Sequence, residues 1–248
     1  MVTPIKSAFR ALTTRFGYGV FDLRKDQSPA VFLGGHLRAL FERLDINCVI
    51  DVGANVGQYG SLIRRAGYAG RILSIEPLAE AYAALRQRAR SDQRWQTMNL
   101  ALGEKDETRL FNIFAADDLS SFLVPSAHMA HLDNSFVIRC EAVTVRRLAS
   151  IFADIVSDLS NPRLFLKLDT QGYDLQVVNG ATDCLPQILG IQSELAVIPL
   201  YEGAADHLEM LAYYRHLGFY PTGIFPVAKD RKTGHVFEFD AVFARRDM

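Results

Sequence analysis

Four acidic residues occupy positions from which strands and turns can aim them at one ligand: Asp51, Glu76, Asp169 and Glu194. Asp51 lies in Cys48-Val49-Ile50-Asp51-Val52, a short apolar run that reads as a buried strand. The run leads into Gly53-Ala54-Asn55-Val56-Gly57-Gln58-Tyr59, a glycine-bearing turn that opens a helix. Gly53 permits a sharp turn and leaves room for a ligand against the main chain, and Gly57 lets the helix start sit close to the strand. A dinucleotide fingerprint, G-x-G-x-x-G, would need glycine at all three of Gly53, Asn55 and Gln58, and only the first matches. A pyrophosphate needs close backbone approach at the helix start, which a side chain at 55 hinders. Asp51 adds negative charge where a phosphate would be repelled, so the turn suits a cationic ligand.

Glu76 ends the next strand, Arg71 to Ile75, and a carboxylate there can accept hydrogen bonds from both hydroxyls of a ribose. A ribose-bearing cation without phosphate is S-adenosylmethionine, with its sulfonium and ammonium. It is the expected cofactor. Gly53, Ala54, Asn55, Gly57, Gln58 and Tyr59 from the turn, with Asp51, Glu76 and Pro77, form its expected wall. A nicotinamide oxidoreductase is the competing reading on the same sheet, and the missing glycines weigh against it.

The elements that position these residues alternate. Ser28-Pro29 opens a helix with Leu33, Leu37, Leu40, Phe41 and Leu44 on one stripe. The Asp51 strand precedes a helix carrying Tyr59, Leu62, Ile63 and Ala66. After Arg71–Ile75 come a helix from Ala79 to Arg90 and a strand from Thr97 to Leu100. Later strands are expected at Leu164–Leu168, Ile191–Leu195, Phe219–Ile224 and Val236–Phe243, with helices at Asp174–Val178 and Asp206–Leu217. Repeated strand–helix–strand units give an α/β fold with a mostly parallel, doubly wound sheet and helices on both faces. Residues 104–147 break the pattern with two strand-like pieces, Thr108–Ile113 and Phe136–Val145, around a polar loop at 115–134 that is long enough to act as a lid. The expected organisation is an N-terminal segment, 1–30, and one domain, 31–248, with a loop and hairpin insertion at about 104–147.

Taken together, several blocks resemble the FkbM family of class I S-adenosylmethionine-dependent methyltransferases. They are Asp51-Val52-Gly53-Ala54-Asn55-Val56-Gly57, Glu76-Pro77, Ala101-Leu102-Gly103 and Lys167-Leu168-Asp169-Thr170-Gln171-Gly172-Tyr173-Asp174. The likeness continues through Val178-Asn179-Gly180-Ala181, Glu194, Pro199-Leu200-Tyr201-Glu202-Gly203 and Asp240-Ala241-Val242-Phe243. The resemblance implies a Rossmann-like fold, a seven-stranded sheet with one antiparallel strand at its end, and O-methylation of a small or glycosylated acceptor. It adds Ala101 and Asp169 to the cofactor wall. Where family members often read Asp-Val-Glu-Gly, this chain has Asp169-Thr170-Gln171-Gly172, a form that looks like a branch acting on sugar hydroxyls. Where many read Thr-Leu-Asp it has Thr144-Val145-Arg146, so any role of that acid does not carry over.

Methyl transfer to an alcohol gains from a general base. Asp169 is the first candidate, with binding of the cofactor ammonium or orientation of the acceptor as its rival role. Glu194 is the second. Lys167, two residues before Asp169, shares its face and is expected to pair with Asp169 or Glu194. Tyr173, Tyr201 and Glu202, with Ser121 and His128 in the long loop, are the expected acceptor-pocket residues. No clustered set of ligands calls for a metal. The expected acceptor is a sugar hydroxyl of a glycolipid or related glycoside. A polyketide-like or other small-molecule hydroxyl is the alternative, as is a non-catalytic protein that keeps the fold.

Composition sets the remaining bounds. Lys and Arg number 27 against 28 Asp and Glu, so no broad basic face exists to grip nucleic acid. Three scattered cysteines, Cys48, Cys140 and Cys184, form no C-x-x-C pair and read as small core residues, as in a reducing cytoplasm. Residues 1–28 carry Lys6, Arg10, Arg15, Arg24 and Lys25 around Ile5, Phe9, Leu12 and Phe16. That pattern fits a helix packed on the domain, or a peripheral contact with an anionic membrane. No membrane span and no signal peptide are expected.

Overall fold

The computed structural model describes residues 28–116, 119–131, 134–229 and 232–246. The segment 1–27, and with it nearly all of the expected N-terminal unit, lies outside the described residues. Helix α1 is Ser28–Arg43, followed by β1 (Cys48–Val52), α2 (Gln58–Arg65), β2 (Arg71–Ile75), α3 (Ala79–Ala89) and β3 (Trp95–Met98). The insertion supplies β4 (Ala101–Leu102), β5 (Glu107–Phe114) and β6 (Val137–Arg146). Then come α4 (Leu148–Val156), β7 (Leu164–Leu168), α5 (Asp174–Asn179), β8 (Ile188–Ala196), α6 (His207–His216), β9 (Phe219–Lys229) and β10 (Val236–Arg245).

Seven strands form one sheet in the order β3-β2-β1-β7-β8-β10-β9. The strands from β3 to β8 are parallel, and β10 runs antiparallel to both β8 and β9. The antiparallel strand is thus one place in from the edge, with β9 outermost. Alternation of side chains along β1 builds two cores. Cys48, Ile50 and Val52 pack with α4, α5 and α6, including Leu148, Ile151, Val177 and Tyr214. Val49 packs on the other face with α1, α2 and α3, through Leu37, Leu40, Ile63 and Leu85. This is the expected Rossmann-like, class I methyltransferase architecture.

The differences from the sequence reading have local causes. The third strand sits two residues earlier than expected, because Trp95 is buried on it. Helix α4 is not among the expected helices, although Leu148, Ile151 and Ile155 recur at helical spacing and are buried. The insertion forms a second sheet, β4-β6-β5, whose Phe111, Ile113, Val143 and Val145 join the first core. Cys48 and Cys184 are buried, but Cys140 is exposed, since β6 turns alternate residues outward. Among the described residues, no helix is long and apolar enough to cross a membrane.

One close backbone contact joins α5 to the second sheet. A Cβ on Gly180, at the end of α5, would lie 1.9 Å from the carbonyl oxygen of Gly103, just after β4. Neither backbone can yield cheaply. Gly180→Ala is expected to lower stability by about 2–3 kcal/mol, as overpacking of a closed core does, measured by urea unfolding. A loss below about 0.5 kcal/mol, the level of ordinary surface substitutions, would show that the joint adjusts freely.

Candidate active site

Two rows of polar side chains cross the sheet at the carboxyl ends of its strands, on the α1–α3 face. Register pairs Ser74 with Asp51, Asp51 with Lys167, and Lys167 with Gln192. One alternation further on stand Gly53, Asp169 and Glu194, with Asp240 opposite Glu194 on β10. Above these rows opens a cleft of about 1120 Å³, lined by the Gly53 turn, Glu76, Ala101, Lys167, Asp169, Glu194 and Asp240 among others.

The turn is bent by three left-handed residues, Gly53 (φ 72°), Asn55 (φ 47°) and Gly57 (φ 85°). A Cβ on Gly53 would lie 1.9 Å from the Asp169 carbonyl oxygen, so only glycine fits. Glu76 braces the turn: its Oε2 accepts from the Asn55 N–H at 2.8 Å, and its Oε1 from the Leu78 N–H at 2.9 Å. Burial pushes its carboxyl up to about 7, despite those two hydrogen bonds.

Lys167 lies at the centre of the floor. Its Nζ donates to Asp169 Oδ2 at 2.8 Å, lies 3.9 Å from Asp51 Oδ1, and sits 5.4 Å from the centre of the Tyr59 ring. Asp51 is fully buried and accepts from Ser74 Oγ at 2.9 Å, while Trp95 Nε1 donates to the same Oγ at 3.0 Å. Burial raises the Asp51 carboxyl above its usual value and Lys167 offsets that. The Lys167 ammonium is held above its usual range: Asp169 and Asp51 outweigh the burial that would lower it.

Gln171 bridges the second row, with Nε2 3.1 Å from Asp169 Oδ1 and 3.2 Å from Glu194 Oε2. Burial first, then the charges of Asp169, Glu238 and Asp240, push the Glu194 carboxyl well above its usual range. Asp240 accepts from Gln192 Nε2 at 2.9 Å, and burial raises it to about 6. Asp174 is buried, accepting from the Thr170 and Ser193 hydroxyls, which ties α5 to β8.

The expected site residues divide. Gly53, Ala54, Asn55, Gln58, Tyr59, Glu76, Pro77, Ala101, Asp169, Tyr173 and Glu194 line the cleft. Gly57 closes the turn against Leu85 rather than lining it. Asp51 is not at the wall either; it lies beneath the floor and acts on the cleft through Lys167. Tyr173 is anchored by Arg109 Nη1, 2.7 Å from its hydroxyl, with the guanidinium stacked on Phe122 as well.

Four expected acceptor contacts lie elsewhere. Ser121 is fully buried and donates to the Gln171 carbonyl at 2.8 Å, while its neighbour Ser120 lines the cleft. Tyr201 is buried with its hydroxyl 2.7 Å from Leu119 O and 3.0 Å from Gln171 Oε1. His128 and Glu202 are exposed and away from the cleft. Gln171, Gln192 and Asp240 are cleft residues to which the sequence reading gives no site role. Asp240 carried a signal, an acid inside an apolar strand, the same anomaly that marks Lys167. Among the described residues, no cluster of three or more potential ligands could hold a metal.

A parallel sheet in this order, with an antiparallel seventh strand and a glycine turn after β1, defines a class I methyltransferase. The model of the methyltransferase FkbM domain matches residues 51–221, and the chain belongs to that family. S-adenosylmethionine is accordingly its methyl donor. Solved structures similar to this chain include magnesium protoporphyrin IX methyltransferase from Synechocystis PCC 6803, with bound S-adenosylmethionine (TM-score 0.47, 9% identity, covering 98% of this chain and 96% of that one). Another is 1,6-didemethyltoxoflavin-N1-methyltransferase from Burkholderia thailandensis (TM-score 0.46, 12% identity, covering 100% and 92%). No curated protein matches the chain.

Removing the Lys167 cation leaves the fully buried Asp51 uncompensated and takes the partner from Asp169, which is 39% exposed. Lys167→Met is expected to cost about 3–5 kcal/mol at neutral pH, as breaking a buried pair does. Asp51 then holds its proton more tightly folded than unfolded, so the deficit grows as pH rises from the ordinary carboxylate value through the raised one. Thermal unfolding across pH checks this; a deficit independent of pH would show that lost packing, not charge, is responsible.

Proposed function

We propose that the protein is an S-adenosylmethionine-dependent O-methyltransferase that methylates a sugar hydroxyl of a glycolipid or related glycoside. The observation that carries the alcohol acceptor is Glu194: a carboxylate of raised proton affinity, on the cleft floor, beside an Asp169 already engaged by Lys167. An alcohol is a weak nucleophile and gains from a base of raised proton affinity held against it.

The cofactor, when bound, supplies a methyl group activated on a sulfonium. Gly53, Ala54 and Asn55 give it close approach to the main chain. Each Glu76 oxygen accepts one N–H and keeps a lone pair for one ribose hydroxyl. Pro77 and Ala101 offer apolar wall. Asp169, fixed by Lys167, orients the reactants, and Glu194 takes the hydroxyl proton as the acceptor oxygen attacks. Positioning supplies most of the rate, since the leaving group is already activated.

The floor and mouth differ in a way that supports a glycolipid. Gln192, Glu194 and Asp240 offer hydrogen-bond acceptors to ring hydroxyls, and Tyr173 and Phe225 offer aromatic surface. At the rim, Ile138 and Val227 line the cleft with 51% exposure each, which suits an apolar aglycone.

Calorimetric titration with S-adenosylhomocysteine is expected to show binding, and NADH none. Affinity is expected to fall about tenfold when pH drops one unit below the Glu76 value of about 7, because only the carboxylate accepts both ribose hydroxyls. A flat pH dependence would remove Glu76 from the ribose. Glu194→Gln is expected to keep S-adenosylhomocysteine affinity within about twofold and to lose about 10²–10⁴-fold in turnover, the usual contribution of a general base. Turnover near that of the parent protein would exclude Glu194 as the base.

A further inference from the structure

Asp169 and Glu194 are joined through Gln171, and the way Gln171 is held is unusual. Its backbone is left-handed, at φ 52°, a conformation that costs a non-glycine residue energy and persists only where its surroundings fix it. Two buried groups fix it. Ser121 Oγ donates to the Gln171 carbonyl at 2.8 Å, and the Tyr201 hydroxyl lies 3.0 Å from Gln171 Oε1. The acceptor oxygens of Asp169 and Glu194 set the sense of the amide, turning Nε2 to both, and leave Oε1 beside the Tyr201 hydroxyl, whose single hydrogen Oε1 shares with Leu119 O at 2.7 Å. An amide nitrogen has two hydrogens and can give one to each.

We propose that Gln171 is the positioning residue of the acid pair: its amide holds Asp169 and Glu194 apart, opposes proton uptake at Glu194, and so reserves that carboxylate for the proton of the acceptor. The inference rests on the reading of Glu194 as general base. Two nearby carboxylates in a buried site otherwise share a proton, and an N–H given to the ionised form disfavours that. The charged groups facing Glu194 are Asp169 and Lys167 from the β7 side and Glu238 and Asp240 from β10. The only cation in that set, Lys167, already donates to Asp169. Burial and three acids favour the protonated form of Glu194, and the Gln171 amide is the neutral donor set against them. Ser121 and Tyr201 gain a role in the same step, since they hold the residue that spaces the acids rather than the acceptor.

The test needs no acceptor. Infrared difference spectroscopy of the full chain with S-adenosylhomocysteine follows the protonated carboxyl band of Glu194 through a pH titration, the band being assigned by its loss in Glu194→Gln. Gln171→Ala is expected to raise the midpoint by about one pH unit, a tenfold gain in proton affinity. Tyr201→Phe, which keeps the ring, is expected to raise it by less. Should Gln171→Ala fail to fold, Gln171→Asn, whose shorter amide cannot reach both acids, carries the test. An unmoved midpoint in the variants overturns the proposal, and so does a parent Glu194 that stays protonated throughout. Failure of the protein to methylate any alcohol would instead sink the O-methyltransferase reading and leave the midpoints standing as measured.

Discussion

The site depends on one buried ammonium. Lys167 points from the central strand β7 into a face that also carries Asp51 and Asp169, and it is the cation those two carboxylates meet. Desolvating a charge costs several kcal/mol unless it is paired and hydrogen-bonded. The pairing here is unequal: a close contact to Asp169 and a longer approach to Asp51. Asp51 Oδ2 accepts from Ser74, which Trp95 in turn orients, while Oδ1 faces Lys167 without a hydrogen bond. The floor is therefore a chain of dependence running across four strands. A change at Trp95, on the far strand, would reach the cleft through Ser74 and Asp51.

The topology explains why the polar rows can exist. Register aligns Asp51, Lys167 and Gln192 at one level, and Glu194 with Asp240 at the next. Deeper on the same face the strands carry Val49 and Phe165, which pack against α1–α3. Polar residues are thus confined to the strand ends, where the sheet meets the cleft and not the helices. The turn at Gly53 and the loop at Gln171 both use left-handed backbone to bring main chain over those ends. Of the left-handed non-glycine residues, Asn55 and Gln171 line the cleft, and Asp45 and Asn134 lie away from it.

Much of this was legible in the sequence for a physical reason: covered parallel strands are short apolar runs, and Leu164–Leu168 and Arg71–Ile75 match the structure residue for residue. The Gly53 turn and Glu76 were legible too, because a strand-end acid and an αL glycine leave few uses. The acceptor side was not. Ser121, Tyr201, Glu202 and His128 were marked by residue type and loop position, and type does not say which way a loop folds. Ser121 and Tyr201 turn inward to hold Gln171, which the sequence marks only as a departure from the family's Asp-Val-Glu-Gly. The sequence places Asp51 on the cofactor wall, and the structure places it beneath Lys167: that burial is a property of three strands in register, which one strand's sequence does not contain.

The charge balance of the cleft bears on what it can accept. Asp169 is engaged by Lys167, while Glu194 and Asp240 are both raised in proton affinity, burial being the first cause of each. An anionic group brought beside them would add repulsion to an environment that already disfavours negative charge. A neutral polyol meets no such penalty, because its hydroxyls donate to the same oxygens. On the proposed reading, the acids that make an alcohol reactive therefore also select against phosphorylated or carboxylated acceptors, and the selection would weaken as falling pH neutralises Asp240 near 6.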